Sequence, residues 1–94
     1  MNNYIVRPGI VLINIYGTVF LAADREARKK CAFIRELNEV GAFIWTRLEK
    51  GDDYDSIVSE VKKEYEVPEE YDIDRDIKIF LKELEDNGYI KSEE

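Results

Sequence analysis

Cys31 is the one thiol in the sequence, and no histidine is present to activate it. Without a neighbouring base, a cysteine near its ordinary pKa stays a thiol and is a poor nucleophile. The absence of imidazole also removes Ser-His-Asp and Cys-His catalysis and histidine-containing zinc sites. Asp52, Asp53 and Asp55 lie close together, but they lack the spacing and closing glutamate of a calcium loop. Helix capping suits them better. Glu69-Glu70 and Glu85-Asp86 are adjacent pairs, and nothing sets two carboxylates across a cleft for acid–base work. Catalytic residues, a metal site and a cofactor are therefore not expected. Binding chemistry remains.

The charge distribution narrows the class of ligand. The chain of 94 residues carries a net charge of −7, and the acidic excess lies in residues 37–94. Affinity for DNA or RNA comes mainly from neutralising phosphates, which an acidic half repels. No nucleic-acid partner is expected. A chain this short buries only roughly 60–65% of its unfolded surface, so it makes one domain over residues 1–94 with no room for a deep cleft. A lone cysteine fits a reducing compartment, and the expected location is cytoplasmic. The apolar run 10–23 is broken by Asn14, Gly17 and Thr18. It falls short of the roughly 20 residues of a spanning helix, so no membrane partner is expected.

The elements that would position a binding surface change character near Asn38. Before it, residues 10–16 and 18–23 are Val/Ile/Tyr/Phe-rich strands around Gly17, which supplies the positive φ of a tight hairpin. Residues 4–7 suggest a short extra strand stopped by Pro8. Residues 24–37 are ambiguous. Their Glu, Ala, Arg and Lys content favours helix, yet 31–37 also reads as a strand, with Phe33, Arg35 and Leu37 on one face. After Asn38, an N-cap candidate, apolar residues recur at helical spacing. A first helix runs to about Glu49, with Val40, Gly41, Ile44 and Leu48 on one side and Trp45 beside them. Asp53 caps a second, with Tyr54, Ile57, Val61 and Tyr65 inward. A third over residues 72–87 carries Ile73, Ile77, Phe80, Leu81 and Leu84 before Gly88. Strands followed by three helices make an α+β domain.

At these residues the chain resembles a known family. Leu37-Asn38-Glu39-Val40-Gly41-Ala42, continued by Ile44-Trp45, Leu48 and Gly51, is similar to the centre of the PqqD-like family. Asp76-Ile77, Phe80-Leu81, Leu84 and Gly88-Tyr89-Ile90 resemble its C-terminal helix and end, and Arg7-Pro8-Gly9-Ile10 its opening. The resemblance implies a winged helix-turn-helix-like fold, with a three-stranded antiparallel sheet followed by three α-helices. It places residues 31–37 in the sheet as the third strand. Between 24 and 30 the chain departs from the family, which has a shorter, Gly-containing turn there. The resemblance further implies a recognition element for ribosomally synthesised, modified peptides. Such a domain binds the leader peptide of a precursor as an added strand beside the third helix. It then presents the precursor to a modifying enzyme, such as a radical SAM enzyme, a cyclase or a leader peptidase.

An edge strand exposes unpaired N–H and C=O groups that must be blunted or used. Residues 31–37 contain no proline and only Arg35 and Glu36 as charges, so the edge suits strand addition. The expected peptide-binding residues are Ala32, Phe33, Ile34, Arg35 and Glu36 on the strand, with Arg75, Asp76, Ile79 and Phe80 on the helix. On a wheel stepping about 100° per residue, Asp76 and Glu83 form one shoulder of the third helix, and Lys78 and Glu85 the other. Ile79 points away from the core. Periodicity leaves open which shoulder faces the strand. A winged-helix transcription regulator is the alternative reading. Its third helix should be basic, yet Arg75, Lys78 and Lys82 face six acids between Asp72 and Asp86. An adaptor pairing its edge strand with a second copy is a further alternative. A monomer or weak homodimer is expected.

Overall fold

Tyr16 and Gly17 both adopt positive φ, 50° and 86°. That is the conformation of a type I′ hairpin turn, whose twist matches that of the strands it joins. The turn links β2 (Ile10–Ile15) to β3 (Thr18–Ala23), with Ile15 opposite Thr18. The computed structural model describes residues 3–93. A third strand, β4 (Ile34–Leu37), pairs antiparallel with β3 and places Leu21 opposite Arg35. The sheet order is β2-β3-β4, so β4 lies at an edge. Three helices follow: α1 (Glu39–Glu49), α2 (Tyr54–Tyr65) and α3 (Ile73–Asp86). The expected α+β order of three antiparallel strands and three helices is present.

Strand alternation sorts the sheet into two faces. Ile10, Leu21, Ala23 and Leu37 turn inward and are buried with Ile44, Trp45, Ile57, Ile77, Leu84 and Tyr89. Val11, Ile15 and Ile34 turn outward and are exposed. The core is thus shared by one sheet face and the inner stripes of all three helices. Among the described residues, no helix is long and apolar enough to cross a membrane.

Three segments differ from the expectations drawn from sequence. The N-terminal strand is β1 (Asn3–Val6), and it lies outside the three-stranded sheet. It pairs with β5 (Ile90–Glu93), a C-terminal strand that the residues alone did not announce. Arg7 extends that ladder by donating its N–H to the Tyr89 carbonyl at 3.0 Å. The third strand, expected over 31–37, begins only at Ile34. Its start is delayed because Asp24 caps a turn instead. The Asp24 carboxylate accepts the Ala27 N–H at 2.8 Å, and a single 3-10 turn follows over Ala27–Lys29. Ala32 is then drawn off the sheet, donating its N–H to the Asn87 carbonyl at the end of α3 (3.0 Å).

Each α-helix starts at a side-chain cap. Asn38 Oδ1 accepts from the Gly41 N–H at 2.7 Å, Asp53 from Ser56, and Asp72 from Arg75. Asn38 also joins β4 directly to α1. Asn38→Ala is expected to cost about 1 kcal/mol, as such caps do, and to lower the melting temperature by roughly 4–8 °C. Thermal unfolding followed by circular dichroism measures it. An unchanged midpoint would show that the cap contributes nothing.

A strand edge and the groove beside it

In an antiparallel pair, every second residue spends both backbone groups on its partner, and the residues between direct theirs outward. Ala23 donates to the Phe33 carbonyl at 2.8 Å, and the register continues through Leu21–Arg35 and Val19–Leu37. Phe33, Arg35 and Leu37 therefore turn their backbones toward β3. Ile34 and Glu36 present their N–H and C=O groups at the open edge. Those four groups are what an added strand would pair with.

Alongside this edge runs α3, and a groove of about 390 Å³ separates the two. Leu37 and Phe80 line its apolar part, Arg35 and Glu36 its strand lip, and Asp76, Ile79 and Glu83 its helix wall. Asn38 closes the end nearest α1. Arg35 spans the groove: its guanidinium lies 3.5 Å from a Glu83 carboxylate oxygen and 5.5 Å from the Phe80 ring centroid. An ion pair this open to water is worth about 0–1 kcal/mol, so a ligand carboxylate can replace Glu83 at little cost. The Arg35 Nε is buried and has no hydrogen-bond partner among the described residues. Glu36, Asp76 and Glu83 outweigh Arg35, leaving the groove net acidic.

A second hollow of about 360 Å³ adjoins the groove on the α1 side. Asn38, Asp76 and Phe80 line both, so the two are adjacent. Here the walls are apolar, with Val40, Ile44, Val61, Val67, Ile73 and Ile77 joined by Tyr65 and Tyr71. The Tyr71 hydroxyl donates to the Asp76 carboxylate, which raises the tyrosine pKa.

Of the residues expected to bind peptide, the structure brings Arg35, Glu36, Asp76, Ile79 and Phe80 together in the groove. Ala32, Phe33, Ile34 and Arg75 do not line it. Ala32 is held at the C-terminus of α3, and Phe33 packs under the Arg28 guanidinium at 4.1 Å. Ile34 sends its side chain to the outer face and contributes only backbone. Arg75 is exposed on α3. Leu37, Asn38 and Glu83 are the lining residues missing from the sequence-based set. Glu83 was legible: it lies four residues beyond Ile79 and seven beyond Asp76, on one helix face.

Burial raises the Cys31 thiol pKa, and its Sγ lies 3.0 Å from the Ala27 carbonyl oxygen. A protonated thiol so placed is a packing group. No acid, cysteine and histidine cluster suited to a metal ion occurs among the described residues.

Comparison with known proteins agrees with this fold. The family model described as coenzyme PQQ synthesis protein D matches residues 19–90. Two solved structures resemble the chain over nearly its whole length, each with a TM-score of 0.72 and 26% identity. One is TbiB1 in complex with the TbiA(beta) leader peptide, matched over 92% of this chain and 93% of that one. The other is lasso peptide synthetase B1 complexed with the leader peptide, matched over 94% and 96%. No curated protein sequence matches the chain.

Proposed function

Because the chain belongs to the family of coenzyme PQQ synthesis protein D, we propose that it is a non-catalytic leader-peptide-binding protein. It captures the leader of a precursor peptide as a strand added to β4 and presents the precursor to a modifying enzyme, such as a radical SAM enzyme, a cyclase or a leader peptidase. Residues 1–94 act as one recognition domain, in the cytoplasm. The observation that carries the reading is the open backbone edge at Ile34 and Glu36 beside the α3 groove. Two solved structures that share the fold at 26% identity are themselves complexes with leader peptides.

The physical basis is effective concentration. A peptide held at the groove keeps its linked core near a docked enzyme at roughly millimolar local concentration. Ordering a disordered leader consumes part of the interaction energy, so affinity is expected in the micromolar to submicromolar range, on the order of 0.1–10 μM. Tight binding would hinder release. The wall that α3 offers, Asp76, Ile79 and Glu83, suits a peptide and repels a phosphate backbone.

The test is an amide-resolved NMR titration of the chain with a candidate leader peptide, a scrambled peptide and a short DNA duplex. Shifts with the leader alone, confined to residues 34–38 and to Asp76, Ile79, Phe80 and Glu83, are expected. Leader-induced shifts lying outside those positions would refute this groove, and shifts with duplex DNA would restore the transcription-regulator reading. Arg35→Glu places a third carboxylate beside Glu83 and Glu36. It should stay folded and weaken leader binding about tenfold, or roughly 1.4 kcal/mol. Unchanged affinity by calorimetry would count against the groove.

A further inference from the structure

The sheet has a second edge. In the order β2-β3-β4, β2 lies opposite β4, and among the described residues no further strand pairs with it. Asp24 donates its N–H to the Gly9 carbonyl at 2.8 Å, and from there alternate residues Val11, Ile13 and Ile15 bond to β3. Leu12 and Asn14 therefore direct their N–H and C=O groups outward. Edges are ordinarily blunted by charge, proline, a bulge or shortness. β4 is four residues long and carries Arg35 and Glu36. β2 is six residues long and pairs with β3 without a break. It lies in a stretch, 10–23, that contains neither charge nor proline.

This strand is also uncovered on both faces. Leu12 stands opposite Leu21 on the inward face, yet it is 41% exposed while Leu21 is buried. The helices therefore stop short of β2. On the outer face Val11 and Ile15 are about half exposed. Tyr16, at the tip of the hairpin, is wholly exposed. Its φ of 50° disfavours a bulky side chain, and Asn, Asp or Gly is the usual residue there. Packing within the chain does not compensate for that choice.

The charge map identifies the occupant. Two copies of a chain with net charge −7 repel one another over the acidic surface that residues 37–94 supply. At the uncharged hairpin they meet without like charges, on the side of the sheet away from the acidic groove. β2 is moreover complementary to itself. An antiparallel register that sets Leu12 opposite Asn14 of a second copy pairs every one of their open backbone groups. The same register places Ile13 opposite Ile13 and Tyr16 opposite Ile10 of the second copy.

We propose that the chain associates with a second copy of itself by antiparallel pairing of the two β2 strands, about a two-fold axis at Ile13. The sheets join in the order β4-β3-β2-β2-β3-β4, with the helices of both copies on one face and the exposed Leu12 residues between them. Such an interface is isologous, so each residue of the patch serves both copies. Both β4 edges remain outermost and open, and the inference is independent of what β4 binds. An edge contact of this kind lies at the small end of specific interfaces, below about 1,200 Å². Its dissociation constant is expected on the order of 10–100 μM.

Sedimentation equilibrium of the whole chain, over concentrations spanning that constant, should show the mass rising from one copy to two. Ile13→Lys and Ile13→Glu each set like charges face to face across a non-hydrogen-bonded pair, where the Cα atoms are only about 4.5 Å apart. Each variant alone should associate at least tenfold more weakly. An equimolar mixture of the two should restore association, because lysine then faces glutamate. That restoration also shows that both variants fold. In the unaltered chain, hydrogen exchange at the Leu12 and Asn14 amides should slow as concentration rises, while Ile34 and Glu36 exchange as before. A chain that remains a single copy throughout would overturn the proposal. Slowing at Ile34 and Glu36 instead would move self-pairing to β4, and a mixture that fails to restore association would exclude the two-fold register at Ile13.

Discussion

Gly88→Ala is expected to destabilise the domain by about 3 kcal/mol, the largest effect of a one-carbon change in the chain. Two costs coincide there. The backbone has a φ of +85°, where a non-glycine residue costs about 1–3 kcal/mol. An added Cβ would also overlap the Lys30 carbonyl oxygen and come within 2.8 Å of the Cys31 Cβ and 2.9 Å of its Cα. The nearest of these is backbone and cannot swing aside, so the overlap costs about 1–3 kcal/mol more. A domain of this size has about 5–14 kcal/mol in total. The melting temperature should fall by roughly 12–24 °C. Gly17→Ala is the control: its φ is +86°, and nothing lies within 4 Å of the added carbon. It carries only the backbone cost. Equal losses at the two positions, measured by urea unfolding, would show that the close approach of α3's end to residues 30–31 contributes nothing.

The second prediction concerns binding. In Glu36→Pro the ring replaces an N–H that points to the open edge, so every β3–β4 bond survives. Proline also favours extended backbone at the residue before it, which Arg35 already adopts in β4. The domain should remain folded. An added strand, however, would lose one donor, leave its own carbonyl unsatisfied, and meet the ring. Leaving one buried polar group unpaired costs about 1–3 kcal/mol, so leader affinity should fall by roughly 30-fold. Glu36→Ala keeps the N–H and should cost only a few-fold, on the order of 0.5 kcal/mol from a rim charge. Titration calorimetry on both variants separates backbone pairing from side-chain effects. If the proline variant binds as well as the alanine variant, the peptide does not add to β4.

Much of the fold was legible because it depends on local signals. Asn38, Asp53 and Asp72 sit just ahead of helical apolar periods, and each is an N-cap in the structure. Tyr16-Gly17 between two β-branched runs is the hairpin turn. What escaped was non-local. The β1–β5 pairing joins residues about 90 positions apart, and neither strand carries a strong pattern of its own. Residues 24–37 had helix propensity while 31–37 also read as a strand, and the choice fell to Asp24's cap and Asn87's carbonyl. The missed lining residues have the same origin: Leu37 reads as core and Asn38 as a cap, and only packing shows that both also face the groove.

The sequence by itself determined that histidine-dependent chemistry is absent and that the third helix is too acidic to suit a phosphate backbone. Its resemblance to the PqqD-like family, rather than its propensities, placed a thinly guarded strand ahead of that helix. Only the tertiary structure decided which shoulder of α3 meets the strand. Helical periodicity defines positions around one axis but not the rotation of that axis against its neighbours. Burial of Ile77, Leu81 and Leu84 sets that rotation, and it brings Asp76 and Glu83 to Arg35 while Lys78 and Glu85 turn toward Tyr4 and Ser92.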